Sequence, residues 1–303
     1  HKAHDSETRD VIDPATEEVV GKIPAVTSED LDDALAAAER GFAEWRHISP
    51  WERAAKLRKV ADLVRERTPE IARIMSIETG KPVAEGVGET GAAADQFEWY
   101  AEETKRIYGQ TIEGRTPDSR MTVLYQPVGV TAAFAAWNFP ALLPARKIAA
   151  ALGAGCSVIV KPASEAPGSC MMLIQACHDA GIPAGVVNLV SGNSDLITKH
   201  LIGSPVVRKV SFTGSVPVGK QLLKMCADSV KKVSMELGGH APVIVFEDAD
   251  PVAAAQMAAT AKFRNCGQVC ISPSRFYVHE SIKEPFGEAF ANYANSLKIG
   301  YGL

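Results

Sequence analysis

The first third of the chain has the hydrophobic pattern of consecutive helices. Over residues 28–108 apolar side chains recur at helical spacing, and the first segment opens with Ser28 as a plausible cap followed by an acidic turn. The dipeptide Thr68-Pro69 interrupts this pattern and predicts a helix break, because the residue before a proline is disfavoured in the helical conformation. We therefore expect several α-helices in this region.

Beyond residue 128 the pattern changes to short apolar runs about 20 to 30 residues apart. These runs are VGVTAAFA from Val128, CSVIV from Cys156, GVVNLV from Gly185, RKVSFTG from Arg208 and KKVSMELGG from Lys231. Helix-like stretches such as SCMMLIQACHDAG and VGKQLLKMCADS separate them. Strands that alternate with helices indicate a parallel sheet covered on both faces, and such a sheet binds ligands at the carboxyl ends of its strands.

Two further segments complete this α/β architecture. Residues 111–126 are short and extended, with Pro117-Asp118-Ser119 as the turn of a predicted antiparallel hairpin. After Glu236 a second α/β unit begins with the strand PVIVFEDAD and the helix PVAAAQMAATAKFRN. The predicted boundaries are 1–110 and 127–236 for the N-terminal helices and a Rossmann-like parallel sheet, 111–126 for the hairpin, and 237–303 for the second unit.

Composition argues against several classes of function. The hydrophobic share of 46% and charged share of 22% are typical of a soluble globular protein. A net charge of −4 disfavours nucleic acid or an anionic membrane surface as the main partner. No stretch approaches the roughly 20 apolar residues that span a bilayer, and the polar start HKAHDSETRDVIDP lacks a signal-peptide pattern. The 6 cysteines are scattered without a CxxC pair, which predicts a reducing cytoplasm rather than a disulfide framework.

Cys270 is the candidate nucleophile. It ends FRNCGQVC, just after a predicted helix runs out at Asn265-Cys266-Gly267. A free cysteine has a pKa of about 8.5, so a nucleophilic one needs a base, a helix dipole or nearby cations. One alternative is a buried structural cysteine. Another is a metal pair with Cys266, which the three intervening residues and the lack of a third ligand nearby argue against.

Two more polar residues follow predicted strands. Glu236, in SMELGGH, can accept a proton as a general base if burial raises its pKa. Asn138, in AAWNFPALLP, can donate a hydrogen bond to a developing oxyanion. The alternatives are a solvated glutamate at a strand end and a turn residue before Phe139-Pro140.

The segment SFTGSVPVG, which ends at Gly219, is the candidate phosphate-binding site. It follows a strand and opens a helix, so backbone N–H groups and the helix dipole face a bound anion, although the segment is not the usual GxGxxG. Lys161, in VIVKPAS, stands at another strand end and can hold a ribose hydroxyl or a phosphate. Ordinary turn chemistry is the alternative for both.

Taken together and in this order, the motifs resemble the aldehyde dehydrogenase superfamily. WNFP, VKPAS, FTGS with its later glycine, MELGG and FRNxGQxC recur in the order and approximate spacing of that family, and the glutamate of MELGG lies 34 residues before Cys270. The resemblance covers essentially the whole chain. Longer sequence segments, such as FAAWNFPALLPARKIAAAL, are similar to those of bacterial NAD(P)-dependent succinate-semialdehyde dehydrogenases.

Matched residue by residue, the resemblance implies a role for each motif. Cys270 is implied as the nucleophile, Glu236 as the general base, Asn138 as the oxyanion donor beside the Cys270 backbone N–H, and Lys147 near the nicotinamide. The implied NAD site comprises Trp137, Lys161, Ser164, Gly214, Ser215, Gly219 and Leu237. The resemblance further implies a thiohemiacetal and a thioester on the cysteine, with Glu236 activating the water that releases the acid.

The resemblance also gives a function to each predicted unit. Residues 1–110 and 127–236 are implied to bind the dinucleotide, and residues 237–303 to begin the catalytic domain. The hairpin 111–126 is implied in oligomerisation, which predicts a homodimer or homotetramer.

Two departures from the family pattern bear on these expectations. The family often has a glutamate at the place of Ser164, and here Glu165 comes one residue later. Loss of that carboxylate lessens repulsion of a 2′-phosphate, so we expect NADP to be tolerated beside NAD. The sequence also ends 33 residues after Cys270, before the EEIFGP segment of the family. We expect a piece of a longer enzyme rather than a truncated protein that cannot work alone.

Two arginines predict the kind of aldehyde. Arg146 and Arg264 match positions where succinate-semialdehyde dehydrogenases bind the free carboxylate of the substrate, and two guanidiniums can grip a carboxylate in bidentate geometry. Glutarate and α-ketoglutarate semialdehydes stay open as substrates, and surface or interdomain arginines are the alternative. Other open hypotheses are a CoA-acylating enzyme, which Glu236 argues against, a non-catalytic nucleotide-binding fragment, and a cysteine hydrolase, for which no histidine stands in a motif.

Overall fold

The N-terminal part consists of a strand pair followed by four helices. The structure, a computed structural model, describes residues 7–303, so residues 1–6 of the polar start lie outside it. An antiparallel pair comes first, β1 (Thr8–Ile12) with β2 (Val19–Pro24). The helices are α1 (Ser28–Trp45), α2 (Pro50–Glu66), α3 (Thr68–Thr79) and α4 (Val83–Thr104). The predicted break at Thr68-Pro69 is confirmed, because α2 ends and α3 begins there.

The cap of α1 differs from the sequence prediction. Thr27, not Ser28, is the N-cap, and its hydroxyl accepts the backbone N–H of Asp30 at 3.2 Å. The Asp30 carboxylate accepts the backbone N–H of Thr27 at 2.8 Å in return. Two adjacent hydroxyls compete for the cap here, and only Thr27 has a carboxylate three residues later to complete the reciprocal pair.

A five-stranded parallel sheet forms the centre of the molecule. Its strands are β5 (Val130–Phe134), β6 (Val158–Lys161), β7 (Val187–Leu189), β8 (Val207–Gly214) and β9 (Lys232–Leu237). Their order is β7-β6-β5-β8-β9, and every neighbouring pair is parallel. The crossover helices are α5 (Leu142–Gly153), α6 (Gly168–Asp179), α7 (Ser194–Gly203) and α8 (Val216–Ala227). The predicted doubly covered parallel sheet is confirmed.

Two hydrophobic clusters lie on opposite faces of this sheet. Ala133 and Val160 pack against α2 to α6 on one face. Ala132 and Ile159 pack against α1, α7 and α8 on the other. Because successive residues of a strand point to opposite faces, both clusters draw on β5 and β6, and these two strands are buried throughout.

The hairpin and the second unit lie outside that sheet. Strands β3 (Gln110–Glu113) and β4 (Arg120–Val123) form the antiparallel hairpin that the turn residues predict, and all of their residues are exposed. In the second unit, β10 (Pro242–Val245) pairs in parallel with β11 (Arg275–Val278), beside α9 (Pro251–Phe263) and α10 (Lys283–Ser296). Among residues 7–303, no helix combines the length and the apolar character needed to cross a membrane.

Glu78, near the end of α3, joins this helix to the start of α6. Its two carboxylate oxygens accept the backbone N–H of Gly168 at 2.9 and 3.1 Å. Burial raises the pKa of Glu78 to about 7, although the hydrogen bonds from Gly168 and Ser169 act in the opposite direction. The carboxyl is therefore more easily protonated in the folded chain than in the unfolded one.

This raised pKa makes the stability of the fold depend on pH. Relative to Glu78→Gln, the wild type should lose stability as the pH rises from about 4.5 to about 7, because ionisation of the buried carboxyl is penalised only in the folded state. Each pKa unit corresponds to about 1.4 kcal/mol, so the shift from 4.5 to about 7 predicts a relative loss of about 3 kcal/mol, most of it between pH 5 and pH 8. Free energies of unfolding of both proteins at pH 5 and pH 8 measure it. A difference between the proteins that does not change with pH would contradict it.

Candidate active site

The loop after β5 carries Asn138, and hydrogen bonds tie it to the cysteine segment. The side-chain amide of Asn138 donates to the backbone carbonyl of Gln268 at 2.9 Å. The backbone carbonyl of Asn138 accepts Lys81 Nζ at 2.9 Å and Asn265 Nδ2 at 2.9 Å. Since Gln268 stands two residues before Cys270, the candidate oxyanion donor and the candidate nucleophile belong to loops that contact each other.

The cysteine segment begins with an unusual backbone. Helix α9 ends at Phe263, and a one-turn 3-10 helix with left-handed residues follows: Asn265 (φ 52°), Cys266 (φ 55°) and Gly267 (φ 77°). Non-glycine residues adopt this conformation only when their surroundings hold them there. The Asn265 backbone N–H donates to Glu85 Oε2 at 2.6 Å, and its side chain donates to the Gln268 carbonyl at 3.1 Å.

The two cysteines of this segment differ in their surroundings. Both are exposed, but partial burial and the nearby Glu85 carboxylate raise the pKa of Cys266, and its Sγ lies 3.8 Å from the Gly80 carbonyl oxygen. A raised pKa reduces the thiolate fraction of Cys266, which disfavours it as a nucleophile. Within residues 7–303, no group of three or more His, Cys, Asp or Glu side chains is placed to hold a metal ion.

Glu236 lies at the edge of the sheet near a buried lysine. It occupies β9 opposite Thr213 of β8, and the Thr213 hydroxyl accepts Lys147 Nζ at 2.7 Å. Burial lowers the pKa of Lys147 to about 8, while the charge of Glu236 raises it and that of Arg146 lowers it further. The side chain of Glu236 is itself exposed, so the burial expected at this residue is not observed. The reason is that β9 is an edge strand, with four of its six residues exposed to solvent.

The candidate phosphate site has the expected strand-to-helix geometry. Gly214 ends β8, Ser215 is the N-cap residue of α8, and within the described chain the Ser215 side chain accepts no hydrogen bond from the first turn. That turn therefore keeps backbone N–H groups for an anion. A Cβ on Gly219 would stand 2.6 Å from a methyl of Leu237, so glycine is what lets α8 approach the end of β9.

The remaining cofactor candidates lie after β5 and β6. Lys161 ends β6, where burial lowers its pKa and Glu165 acts in the opposite direction; its ammonium donates to the Pro162 carbonyl at 3.1 Å. Ser164 follows, partly buried, and Trp137 is 42% exposed. These residues share the carboxyl edge of the sheet with the α8 N-terminus. A helix N-terminus beside a buried lysine fits the phosphates and ribose of a dinucleotide.

The two candidate substrate arginines are both exposed. The Arg264 guanidinium lies 5.7 Å from the centre of the Phe139 ring, next to Asn138. Arg146 is exposed on α5, beside Lys147. Both side chains are thus free to meet a ligand from solvent.

A buried group at the start of α4 escaped the sequence analysis. Lys81 and Glu89 form an ion pair whose side chains are 1% and 2% exposed. The other Glu89 oxygen accepts the backbone N–H groups of Ala141 and Leu142, at 2.9 and 3.1 Å. The available signal was a pair of glutamates four residues apart, Glu85 and Glu89, just after a lysine, but such a pattern is more typical of a solvated helix face.

Comparisons with known proteins identify the family of this chain. The model of the aldehyde dehydrogenase family matches residues 1–303. Glutarate-semialdehyde dehydrogenase of Pseudomonas putida is 46% identical over 301 residues, which are 99% of this chain and 63% of that protein. The succinate-semialdehyde dehydrogenase [NADP(+)] GabD of Escherichia coli is 45% identical over 99% of this chain and 62% of its own length.

A solved structure gives the same result. The crystal structure of succinate-semialdehyde dehydrogenase from Burkholderia pseudomallei superposes with a TM-score of 0.98 at 42% identity, covering 100% of this chain and 63% of that one. The chain thus spans less than two thirds of the length of these relatives. Sequence motifs, sheet topology and site residues lead to one conclusion, that this chain belongs to the aldehyde dehydrogenase family.

Proposed function

We propose that the protein oxidises an aldehyde to a carboxylic acid with NAD(P)+, using Cys270 as its nucleophile. The observation that carries this proposal is the hydrogen bond of 2.9 Å from the Asn138 amide to the Gln268 carbonyl. It ties an amide donor to the loop that bears an exposed cysteine, and covalent acyl chemistry needs this pair of groups.

The first step is attack of the Cys270 thiolate on the aldehyde carbon, which forms a carbon–sulfur bond and an oxyanion. A side-chain amide has two N–H donors. One N–H of Asn138 is taken by Gln268, so the other remains for the oxyanion, together with the Cys270 backbone N–H. Donors fixed before the reaction stabilise the developing charge without reorganising.

The cofactor site is proposed at the carboxyl edge of the sheet. Lys161, Ser164 and the N-terminus of α8 would hold the dinucleotide, and Lys147 would stand near its nicotinamide. When bound, the cofactor supplies the acceptor for the hydride. No carboxylate stands at Ser164 to repel a 2′-phosphate, which supports use of NADP beside NAD.

Glu236 is proposed as the base that completes the reaction. Oxidation leaves a thioester on Cys270, and Glu236 takes a proton from the water that attacks it. The Cys270 thiolate leaves as the acid is released. A base that activates water favours hydrolysis, so a CoA-acylating reaction is the less well supported candidate.

The substrate is proposed to be a semialdehyde with a second, ionised carboxylate. Arg146 on α5 and Arg264 beside the Phe139 ring are both exposed, and they provide two guanidiniums for such a group. The relatives at 45–46% identity are named for succinate and glutarate semialdehydes, which share this feature. Succinate semialdehyde is the first candidate, and glutarate and α-ketoglutarate semialdehydes are the alternatives.

Assembly and location are proposed from the surface of the chain. The hairpin β3–β4 exposes Ile112, Met121 and Val123, and an isolated two-stranded hairpin is marginally stable in water. We propose that it packs against further copies in a homodimer or homotetramer. The free thiols among the described residues fit a cytoplasmic protein.

Replacing the nucleophile tests the reaction class. Cys270→Ala should lower aldehyde oxidation more than about 1000-fold, because no other group can form the thiohemiacetal. The Kd for NAD or NADP should stay within twofold. Cys266→Ala is the matched control and should keep its activity. Turnover that survives in Cys270→Ala, or that disappears only in Cys266→Ala, would overturn the assignment.

Replacing the base separates the two chemical steps. Glu236→Gln should keep a rapid burst of reduced cofactor and lower the steady-state rate at least about 100-fold, since a general base contributes roughly 10² to 10⁴. Stopped-flow absorbance measures both phases. An unchanged steady-state rate near neutral pH would remove Glu236 from the mechanism.

Removing either arginine tests the substrate class. Arg146→Ala and Arg264→Ala each delete a charge-assisted contact worth about 1.5 to 3 kcal/mol, or roughly ten- to over a hundredfold in kcat/KM. The loss should appear with succinate semialdehyde and largely vanish with butanal, which lacks the carboxylate. The exposed Arg40 supplies a control, because Arg40→Ala should affect neither aldehyde. Parallel losses for both aldehydes, with lower thermal stability, would instead mean that the arginines serve packing.

A further inference from the structure

Both members of the buried ion pair Lys81–Glu89 also make hydrogen bonds to neighbouring residues. Lys81 Nζ bonds to Glu89 and to the Asn138 carbonyl, and it lies 4.7 Å from the centre of the Phe139 ring. The free oxygen of Glu89 accepts two backbone N–H groups, those of Ala141 and Leu142. Two desolvated charges add little net stability as a pair, so the contacts that each of them makes with its neighbours matter more than the pair itself.

All of these further partners belong to one segment, residues 138–142, between β5 and α5. Lys81 holds the beginning of this segment and Glu89 holds its end. The N-cap residue of α5 is Ala141, which has no side chain for capping, so the Glu89 carboxylate takes over that function. The ion pair therefore fixes the backbone of Asn138 and the first turn of α5 together.

The same helix also holds the cysteine segment. Glu85 lies one turn before Glu89 on α4, and its carboxylate accepts the backbone N–H of Asn265 at 2.6 Å. Asn265 in turn donates to the carbonyls of Asn138 and Gln268. The loop of the amide and the loop of the cysteine are thus anchored on two successive turns of α4.

The backbone at Lys81 is itself held in place by hydrogen bonds. The Ser76 hydroxyl donates to the Lys81 carbonyl at 2.6 Å, which closes the turn between α3 and α4. The backbone N–H of Val83 donates to the Gly302 carbonyl at 2.9 Å on the other side. Because this backbone is fixed, the Lys81 ammonium can determine where the Asn138 carbonyl lies.

We propose that Lys81, supported by Glu89, is a positioning residue for acylation that acts through Asn138. This proposal rests on the proposed function of Cys270 and Asn138. One N–H of the Asn138 amide is taken by Gln268, so the direction of the other depends on the Asn138 backbone, whose carbonyl Lys81 holds. A misplacement of about 1 Å at a reacting group can cost about 100-fold in rate.

Substitution of Lys81 in the whole protein tests this role. Lys81→Met keeps the length of the side chain and removes the donor, and we expect the burst rate of cofactor reduction to fall about 10- to 100-fold. The KM for the aldehyde and the Kd for the cofactor should stay within threefold. Because Lys81→Met leaves the Glu89 charge buried and unpaired, a second variant combines it with Glu89→Gln. The double change removes both charges and keeps an acceptor for the α5 N–H groups.

A double-mutant cycle with Asn138→Ala decides whether Lys81 acts through the amide. Loss of one oxyanion donor costs roughly 10²- to 10³-fold. If Lys81 only positions that donor, adding Lys81→Met to Asn138→Ala should lower the burst rate less than about threefold further. Multiplied losses, or an unchanged burst in both Lys81 variants, would overturn the positioning role.

Thr104→Val is the matched structural control. Thr104 ends α4 and its hydroxyl donates to the Gly153 carbonyl at the far end of α5, so it joins the same two helices away from the site. The variant should lower the melting temperature without changing the burst rate. An equal loss of burst in Thr104→Val would mean that α4–α5 packing in general, and not Lys81, controls the rate. A wild type that reduces no cofactor with an aldehyde would overturn the proposed function itself.

Discussion

The parallel direction of β5, β6, β8 and β9 is the constraint from which the candidate site follows. Parallel strands end on the same edge of a sheet, and the chain must return through a helix before each new strand. Side chains far apart in sequence, such as Asn138, Lys161 and Glu236, therefore lie at one edge of the sheet even though they do not need to contact one another. The first turn of α8 opens on that edge as well, directly after Gly214. The fold thus brings polar groups to the carboxyl edge of the sheet, and the loops determine their exact positions.

Those parts of the site that depend on strand ends could be predicted from the sequence. The apolar runs before Asn138 and Lys161 are continuous, because both faces of β5 and β6 are covered. A polar residue at the end of such a run can hardly lie elsewhere than at the sheet edge. The cap of α1 follows a local rule too, since Thr27, unlike Ser28, has an acidic residue three positions later. Local sequence rules are sufficient to predict a structural feature when the residues that determine it are close in sequence.

Burial of charged groups could not be predicted in the same way. Glu236 lies within β9, but the sequence does not show that β9 is an edge strand, and so the glutamate is exposed where burial was expected. Lys81 and Glu89 are the opposite case: they are buried, although a lysine before an acidic helix is typical of a solvated surface. Their burial arises from the segment 138–142, more than 50 residues away in sequence, and no local pattern contains that information.

The distribution of buried cations connects the fold with its proposed ligands. Lys81 has the Glu89 carboxylate as its counter-charge, so its role is confined to holding the loop. Within residues 7–303, by contrast, neither Lys147 nor Lys161 has an ion-pair partner, and burial lowers the pKa of both. The charges of Glu236 and Glu165 act on these two lysines without forming an ion pair, so each ammonium can still be stabilised by an anion that comes near it. A chain with a net charge of −4 can therefore bind a dinucleotide phosphate or a carboxylate, because the local charge at the sheet edge, and not the total, acts on the ligand.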